Sequence, residues 1–411
     1  MRIAMVSEHA DPAAVLGETD AGGQNVHVGS LAAALAERGH SVIVYTRLTD
    51  PEARRSAEFS PGVTVRRLAA GPIAPLPKDQ LLPHMPELGG RLARLWQQDP
   101  PDIAHAHFWM SGLAALSGAA GLPIPLVQTF HALGAVKARH QGAADPSPAN
   151  RVELERRIAR ACDQVVATCR DEASELTGLG VPSWQISVVP CGVDTSVFTP
   201  DGPAARRNGR PRLLALGRLV ERKGVATVIA ALARLPDAEL VVAGGPDRRD
   251  LHTSDGFRLL RAAARVHGVT DRVIFTGSVA RADVPALIRS ADAVVCVPWY
   301  EPFGIVPLEA MACGIPVVAS AVGGLTDTIV DQQTGWLVPA RDPEALARAL
   351  GQLLADPVKR AVLGAAGAER ARQRYSWRRV AARTEAVYLR LAADARQAIL
   401  TTADGSLAAG A

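Results

Sequence analysis

Short runs rich in Val, Ile and Leu alternate along the chain with Ala/Leu/Arg stretches of helical period, the arrangement that builds βαβ units and parallel sheets. Strands are predicted over 2–6, 41–46, 102–106, 124–129, 164–168 and 186–189, then over 212–216, 239–243, 272–276, 293–297 and 315–319. Two such series in tandem predict two doubly wound α/β domains. Between them, Pro190-Cys191-Gly192-Val193-Asp194 and a polar stretch over 201–210 interrupt the apolar pattern until Leu213, which marks a linker. The expected division is 1–195 and 205–376. A last helix over 377–391 is expected to return to the first domain, and the small-residue tail over 392–411 is expected to be flexible.

Doubly wound sheets bind ligands outside the carboxyl ends of their strands, so residues that follow strands are the first candidates for chemistry. Well after the first strand, Asp20-Ala21-Gly22-Gly23-Gln24-Asn25 leads into a helix with Val26, Val28, Leu31 and Leu35 as apolar positions. Paired glycines before a helix allow backbone to approach an anion closely, although a plain turn reads equally well. Thr129-Phe130-His131-Ala132 follows another strand. A histidine there can bind a sugar hydroxyl or exchange a proton, or simply satisfy a loop.

In the second half, Leu216-Gly217-Arg218-Leu219 ends a strand and Glu221-Arg222-Lys223-Gly224 opens a helix. Arg binds phosphate oxygens as a fork and Lys adds a point charge, which suits a diphosphate better than a bare surface turn. The most informative segment is Trp299-Tyr300-Glu301-Pro302-Phe303-Gly304-Ile305-Val306-Pro307-Leu308-Glu309. Gly304 is expected to open a helix in whose first turn Pro307 is tolerated. The amides of Phe303, Gly304 and Ile305 would then face a phosphate or sugar. Two carboxylates, Glu301 and Glu309, would hold hydroxyls at opposite ends of an extended ligand.

The 411 residues suffice for two such domains, and 48% apolar with 21% charged residues fits a globular protein. A net charge of +4 does not indicate nucleic acid, and no Lys/Arg cluster is interleaved with aromatics. The arginines between Arg370 and Arg383 read as a solvated face, with weak contact to an anionic membrane surface as the alternative. The opening MRIAMVSEH turns polar too early for a secretory leader, and no run approaches the ~20 apolar residues of a membrane span. Five scattered cysteines without zinc spacing fit reduced thiols, so a cytoplasmic protein is expected. No Asp-x-Asp pair occurs, so neither metal ligands nor a cofactor are expected.

Taken together, Glu301-x7-Glu309 around Pro-Phe-Gly, Gly-Arg218-Leu-x3-Lys223-Gly, Gly22-Gly23, Phe130-His131 and Gly192-Val193-Asp194-x3-Phe198 resemble the family-4 retaining glycosyltransferases. The resemblance runs to about residue 391. DAGGQNV, the 71–83 stretch, HAHFWMSG and HALGAVK are similar to the branch of the mycothiol pathway that glycosylates inositol phosphate, and the first is also similar to sucrose-phosphate synthases.

The resemblance implies a GT-B fold, two Rossmann-like parallel-sheet domains facing across a cleft. It implies hexosyl transfer from a UDP- or GDP-sugar to a small polar acceptor, with retention and without an essential metal. Arg218 and Lys223 would bind the diphosphate with help from the Gly23 amide, and Glu309 would bind the ribose. Glu301 and the amides of Phe303, Gly304 and Ile305 would hold the transferred sugar, and His131 one of its hydroxyls. His131, Arg218, Lys223 and Glu301 are thus the catalytic candidates. Asn25, Lys78, Phe108, Ala132 and Arg151 fall on the acceptor side. There the inositol-phosphate branch places Tyr and Thr where this chain has Phe108 and Ala132. A homodimer is left open. The competing readings are an inositol-phosphate N-acetylglucosaminyltransferase, a sugar-nucleotide epimerase, a non-catalytic sugar-nucleotide binding protein and, disfavoured by the missing GxGxxG, a nicotinamide dehydrogenase.

Overall fold

The computed structural model describes residues 1–14 and 22–408, which divide into two compact units. One contains the described residues of 1–190 together with 380–408, and the other contains Cys191–Arg379. Asp20 and Ala21 lie outside the described residues.

The first unit runs β1 (Arg2–Val6), α1 (Gly23–Ala36), β2 (Ser41–Arg47), β3 (Ser56–Ser60), β4 (Val63–Leu68), α2 (Met85–Gln98), β5 (Ile103–His107), α3 (Trp109–Ala119) and β6 (Leu126–Thr129). It continues through α4 (Gly134–Gln141), α5 (Arg151–Ala161), β7 (Gln164–Ala167), α6 (Arg170–Gly178) and β8 (Ile186–Val188). Its sheet has the order β3-β4-β2-β1-β5-β6-β7-β8. The chain winds outward from β1 in one direction, then from β5 in the other, so the topological switch point lies between β1 and β5. All pairings are parallel except β3 with β4. The sequence reading misses these two strands. β3 is a largely exposed polar edge strand, SAEFS, joined to β4 through a turn in which Gly62 takes φ +79°.

The second unit runs β9 (Arg212–Leu216), α7 (Val225–Leu232), β10 (Glu239–Ala243), α8 (Asp255–Val266), β11 (Val273–Gly277), α9 (Val284–Arg289), β12 (Ala293–Cys296), α10 (Ile305–Ala312) and β13 (Val317–Ser320). It ends with α11 (Leu325–Thr328), β14 (Trp336–Val338), α12 (Pro343–Ala355), α13 (Pro357–Tyr375) and the start of α14 (Trp377–Ala408). The order β11-β10-β9-β12-β13-β14 is all parallel and switches between β9 and β12. Period-2 alternation builds two cores on one sheet: Leu213, Leu240 and Val242 enter one, while Leu214, Val241 and Ala243 enter the other.

The linker begins packed. Cys191, Val193 and Phe198 are buried in the second unit, and the Val193 amide donates to the Tyr375 carbonyl at 2.7 Å. The last helix differs from its expected end, since α14 stays helical to Ala408 instead of giving way to a flexible tail at 392. Its Ala/Leu/Arg composition has high helix propensity, which the tail's small residues obscured. From Val380 it belongs to the first unit, where the Tyr388 hydroxyl lies 2.5 Å from His105 Nδ1. Glu385 there bridges Arg38 and His40.

Candidate active site

Most of the candidate residues follow the strands that flank the two switch points, where this fold class binds ligands, whereas Lys78, His131, Ala132 and Arg151 do not. In the second unit Gly217-Arg218 leaves β9, and a 3-10 turn, Glu221–Lys223, precedes α7. Gly224 joins them at φ +72°, and a Cβ there would lie 1.9 Å from the Val297 carbonyl oxygen. Only glycine allows this backbone to rest on the segment leaving β12. The Trp299 amide donates to the Arg222 carbonyl at 2.8 Å, and the Arg222 guanidinium lies 5.2 Å over the Tyr300 ring. Main chain thus fixes one loop against the other before any side chain contributes.

On that frame Lys223 Nζ lies 2.5 Å from Glu301 Oε2. Burial works to raise the Glu301 carboxyl, but Lys223, Arg222 and Arg218 outweigh it and hold it below the usual carboxylate range. The loop from Glu301 to Gly304 rests on a turn after β13. The Gly324 amide donates to the Glu301 carbonyl at 3.0 Å, and a Cβ on Gly323 would fall 2.2 Å from that same oxygen. Sequence reasoning misses this Gly323-Gly324 turn, although its signal, paired glycines after a strand, resembles that of Gly22-Gly23.

Gly304, at φ +89°, caps α10, with Pro307 as the third helical residue. Phe303 and Gly304 are buried and Ile305 is half-buried at this helix start. Glu309, further along α10, is buried, and its Oε1 lies 2.5 Å from Arg281 Nη1, though off the axis of a well-formed hydrogen bond. Burial raises the Glu309 carboxyl, with Arg281 opposing. Arg281, whose guanidinium also lies 4.6 Å over Phe198, escapes the sequence reading because no motif surrounds it.

In the first unit, Gly22 precedes α1 and Gly23 opens it. Asn25 is buried with its amide tied at both ends: Oδ1 accepts from the Gly22 amide at 2.9 Å, and Nδ2 donates to the Asp11 carbonyl at 2.9 Å. It holds the glycine turn in place. Phe108 and His131 follow the neighbouring strands β5 and β6, and both take left-handed backbone, at φ +82° and +60°. Non-glycine residues adopt this region rarely and at a cost, and such strain concentrates at functional sites.

Phe108, Ala132 and Arg151 come together. Arg151, at the start of α5, is buried; its Nη2 donates to the Ala132 carbonyl at 2.6 Å, and its guanidinium lies 5.2 Å over the Phe108 ring. Nε bonds Glu155 Oε1 at 2.8 Å, and Glu155 Oε2 accepts from the Gly134 amide at 2.8 Å. Lys78 is half-buried in the separate 3-10 turn Lys78–Gln80.

Around His131 stands a group of histidines that the sequence reading does not assemble. His105 and His107 alternate along β5, and His27 comes from α1. His107 Nδ1 and His131 Nε2 are 3.0 Å apart, while His105 Nε2 lies 2.8 Å from Thr129 Oγ1. Burial pushes His27 down to about 4 and His105 to about 3, and burial, with the neighbouring imidazoles, puts His107 and His131 well below their ordinary value. All four rings are therefore neutral at pH 7. A neutral His131 serves as a hydrogen-bonding group for a hydroxyl better than as a strong base. His131 keeps partial exposure although its ring is enclosed by the others.

Known proteins are similar to this chain along nearly its whole length. Residues 21–197 match Glycosyltransferase Family 4, and residues 201–370 match Glycosyl transferases group 1. The chain is 39% identical over 405 residues to the D-inositol 3-phosphate glycosyltransferase of Xylanimonas cellulosilytica, covering 94% of this chain and 96% of that one. It is 38% identical to the enzyme of the same name from Kribbella flavida, over 94% and 95%. Among solved structures, sucrose-phosphate synthase from Thermosynechococcus elongatus superposes with a TM-score of 0.87 at 33% identity, over 96% of this chain and all of that one. Anabaena HepE, solved with UDP and glucose, shares the fold at TM-score 0.73 and 19% identity, over 94% and 99%. Two Rossmann-like parallel-sheet units, both family signatures and full-length relatives make this chain a member of the family-4, group 1 glycosyltransferases of GT-B fold.

Proposed function

We propose that this glycosyltransferase moves a hexosyl sugar from a UDP- or GDP-sugar to a hydroxyl of a small polar acceptor, in the cytoplasm, with retention and without a divalent ion. The observation that carries the reading is the Lys223–Glu301 ion pair at the β9/β12 switch point, with Arg218 acting on the same carboxylate and Glu309 buried on the helix that follows β12. Arg218 and Lys223 neutralise the charge that grows on the diphosphate as the sugar C1–O bond breaks. The acceptor oxygen bonds to C1 on the face the phosphate leaves, and the acceptor proton passes to the departing phosphate oxygen. Glu301 and the amides of Phe303, Gly304 and Ile305 hold the sugar, Glu309 the ribose, the Gly23 amide the diphosphate and His131 a sugar hydroxyl.

For the acceptor, we propose a polar metabolite other than inositol phosphate. Phe108 and Ala132 offer no side-chain hydrogen bonds, and three of the five N–H donors of the Arg151 guanidinium are engaged within the chain. A second reading, inositol 3-phosphate itself, is favoured by the D-inositol 3-phosphate glycosyltransferases to which the chain is 36–39% identical. Glycosylation assays with inositol 3-phosphate against cyclitols, sugars and sugar phosphates test the two. Poor use of inositol 3-phosphate supports the first reading, and preferred use establishes the second.

A further inference from the structure

His27, His107 and His131 come from α1, the end of β5 and the residue pair after β6, yet each offers a ring nitrogen within 4.8 Å of the other two. His107 and His131 already face each other nitrogen to nitrogen at 3.0 Å. The remaining nitrogen of His107, Nε2, is buried without a hydrogen-bond partner. An imidazole ligates one ion through one nitrogen, and the 3.0 Å pair gives that role to Nδ1 of His107 and Nε2 of His131. His105 differs, because Tyr388 and Thr129 occupy both its nitrogens.

Zn–N bonds of about 2.0–2.1 Å place tetrahedral ligand nitrogens roughly 3.4 Å apart. The His107–His131 spacing is close to that already, and the His27 nitrogen lies within 4.8 Å of both. Three imidazoles without a carboxylate suit Zn²⁺, Co²⁺, Ni²⁺ or Cu²⁺, whereas Mg²⁺ and Ca²⁺ require oxygen ligands. Of the three residues, His131 is the one that is not fully buried.

We propose that His27, His107 and His131 bind one divalent transition-metal ion of the Zn²⁺ class, and that this ion inhibits sugar transfer reversibly by occupying His131. The binding stands on the cluster alone; the inhibition also rests on the role proposed for His131. The two are read separately, with untagged full-length protein stripped by chelator. Titration with Zn²⁺ by calorimetry should give one site, and Co²⁺ should give the visible absorption of a nitrogen-coordinated low-symmetry site. His27→Phe, which keeps a ring of similar size, should weaken binding at least ~10-fold, since even the loss of an outer partner costs that much. His27→Tyr is a second variant in case the first does not fold, and the Co²⁺ spectrum of the unmodified protein needs neither. Absence of a one-equivalent site, or undiminished binding in a folded His27 variant, overturns the proposal. Metal binding without loss of transfer would overturn the inhibition and with it the role of His131 in the reaction.

Discussion

The Lys223 ammonium lies 2.5 Å from the Glu301 carboxylate although 78 residues separate them in sequence. The pair joins the loop after β9 to the loop after β12. It also leaves a carboxylate and a cation waiting where a sugar and its diphosphate are proposed to bind. Replacing Lys223 by Met should therefore act twice. Turnover should fall by orders of magnitude, because transition-state charge loses its partner. Stability should fall by about 1–3 kcal/mol, below the usual cost of breaking a fully buried pair because Lys223 keeps some exposure. Urea unfolding with and without the substitution measures the second effect.

The pH dependence follows from the same pair. The folded carboxyl of Glu301 is depressed, so its contribution is fully present above the unfolded value of about 4.3 and is lost as pH falls through the depressed folded value. Lys223→Met should flatten that acid loss. A profile unchanged by the substitution would show that Lys223 does not hold Glu301 ionised.

Glu309 is the opposite case, since its carboxyl is raised by burial. A raised carboxyl destabilises the folded state progressively as pH rises from the unfolded value to the folded one and fully above it, so Glu309→Gln should not lower the stability of the unliganded protein at neutral pH. It should nevertheless weaken nucleotide binding by ~1.5–3 kcal/mol, roughly 10–100-fold, through loss of charge-assisted bonds to the ribose. Calorimetry with UDP and GDP checks this. Unchanged affinity would make Glu309 structural.

Much of this was legible in the sequence. Strand cores such as β9 and β10 announce themselves through short, continuous apolar runs, and Glu301, Glu309, Arg218 and Lys223 sit at recognisable spacings. What escaped has physical reasons. β3 is an exposed edge with no apolar period to detect, and β14 has only three residues. Arg281 and the histidine cluster are made by tertiary contact between distant segments, which no local pattern encodes. Asn25 reads as a ligand residue beside Gly22-Gly23, yet its amide is engaged on the chain itself.

The acceptor side is testable through the residues that differ. Phe108→Tyr with Ala132→Thr restores two hydroxyls beside Arg151, which should improve use of inositol 3-phosphate by ~1–3 kcal/mol in kcat/KM. No gain in a folded double variant would remove Phe108 and Ala132 as determinants of acceptor choice.

In the first unit, the Tyr388 hydroxyl satisfies His105 from the last helix. Tyr388→Phe should leave a buried imidazole nitrogen unpartnered and destabilise the protein by ~1–3 kcal/mol, read as a lower Tm. An unchanged Tm would show that the Tyr388–His105 contact adds nothing to the ion pairs and packing that hold α14 there.

The central claim is tested most directly by following nucleoside diphosphate release and product mass together. UDP- and GDP-sugars are supplied with a panel of polar acceptors in the presence of EDTA, and the anomeric configuration of the product is read by NMR. Acceptor-dependent release of the diphosphate, with the donor's anomeric configuration kept and with loss of turnover in Arg218→Ala, is the predicted result. An altered sugar formed without acceptor, inversion at the anomeric carbon, or activity abolished by the chelator would contradict it.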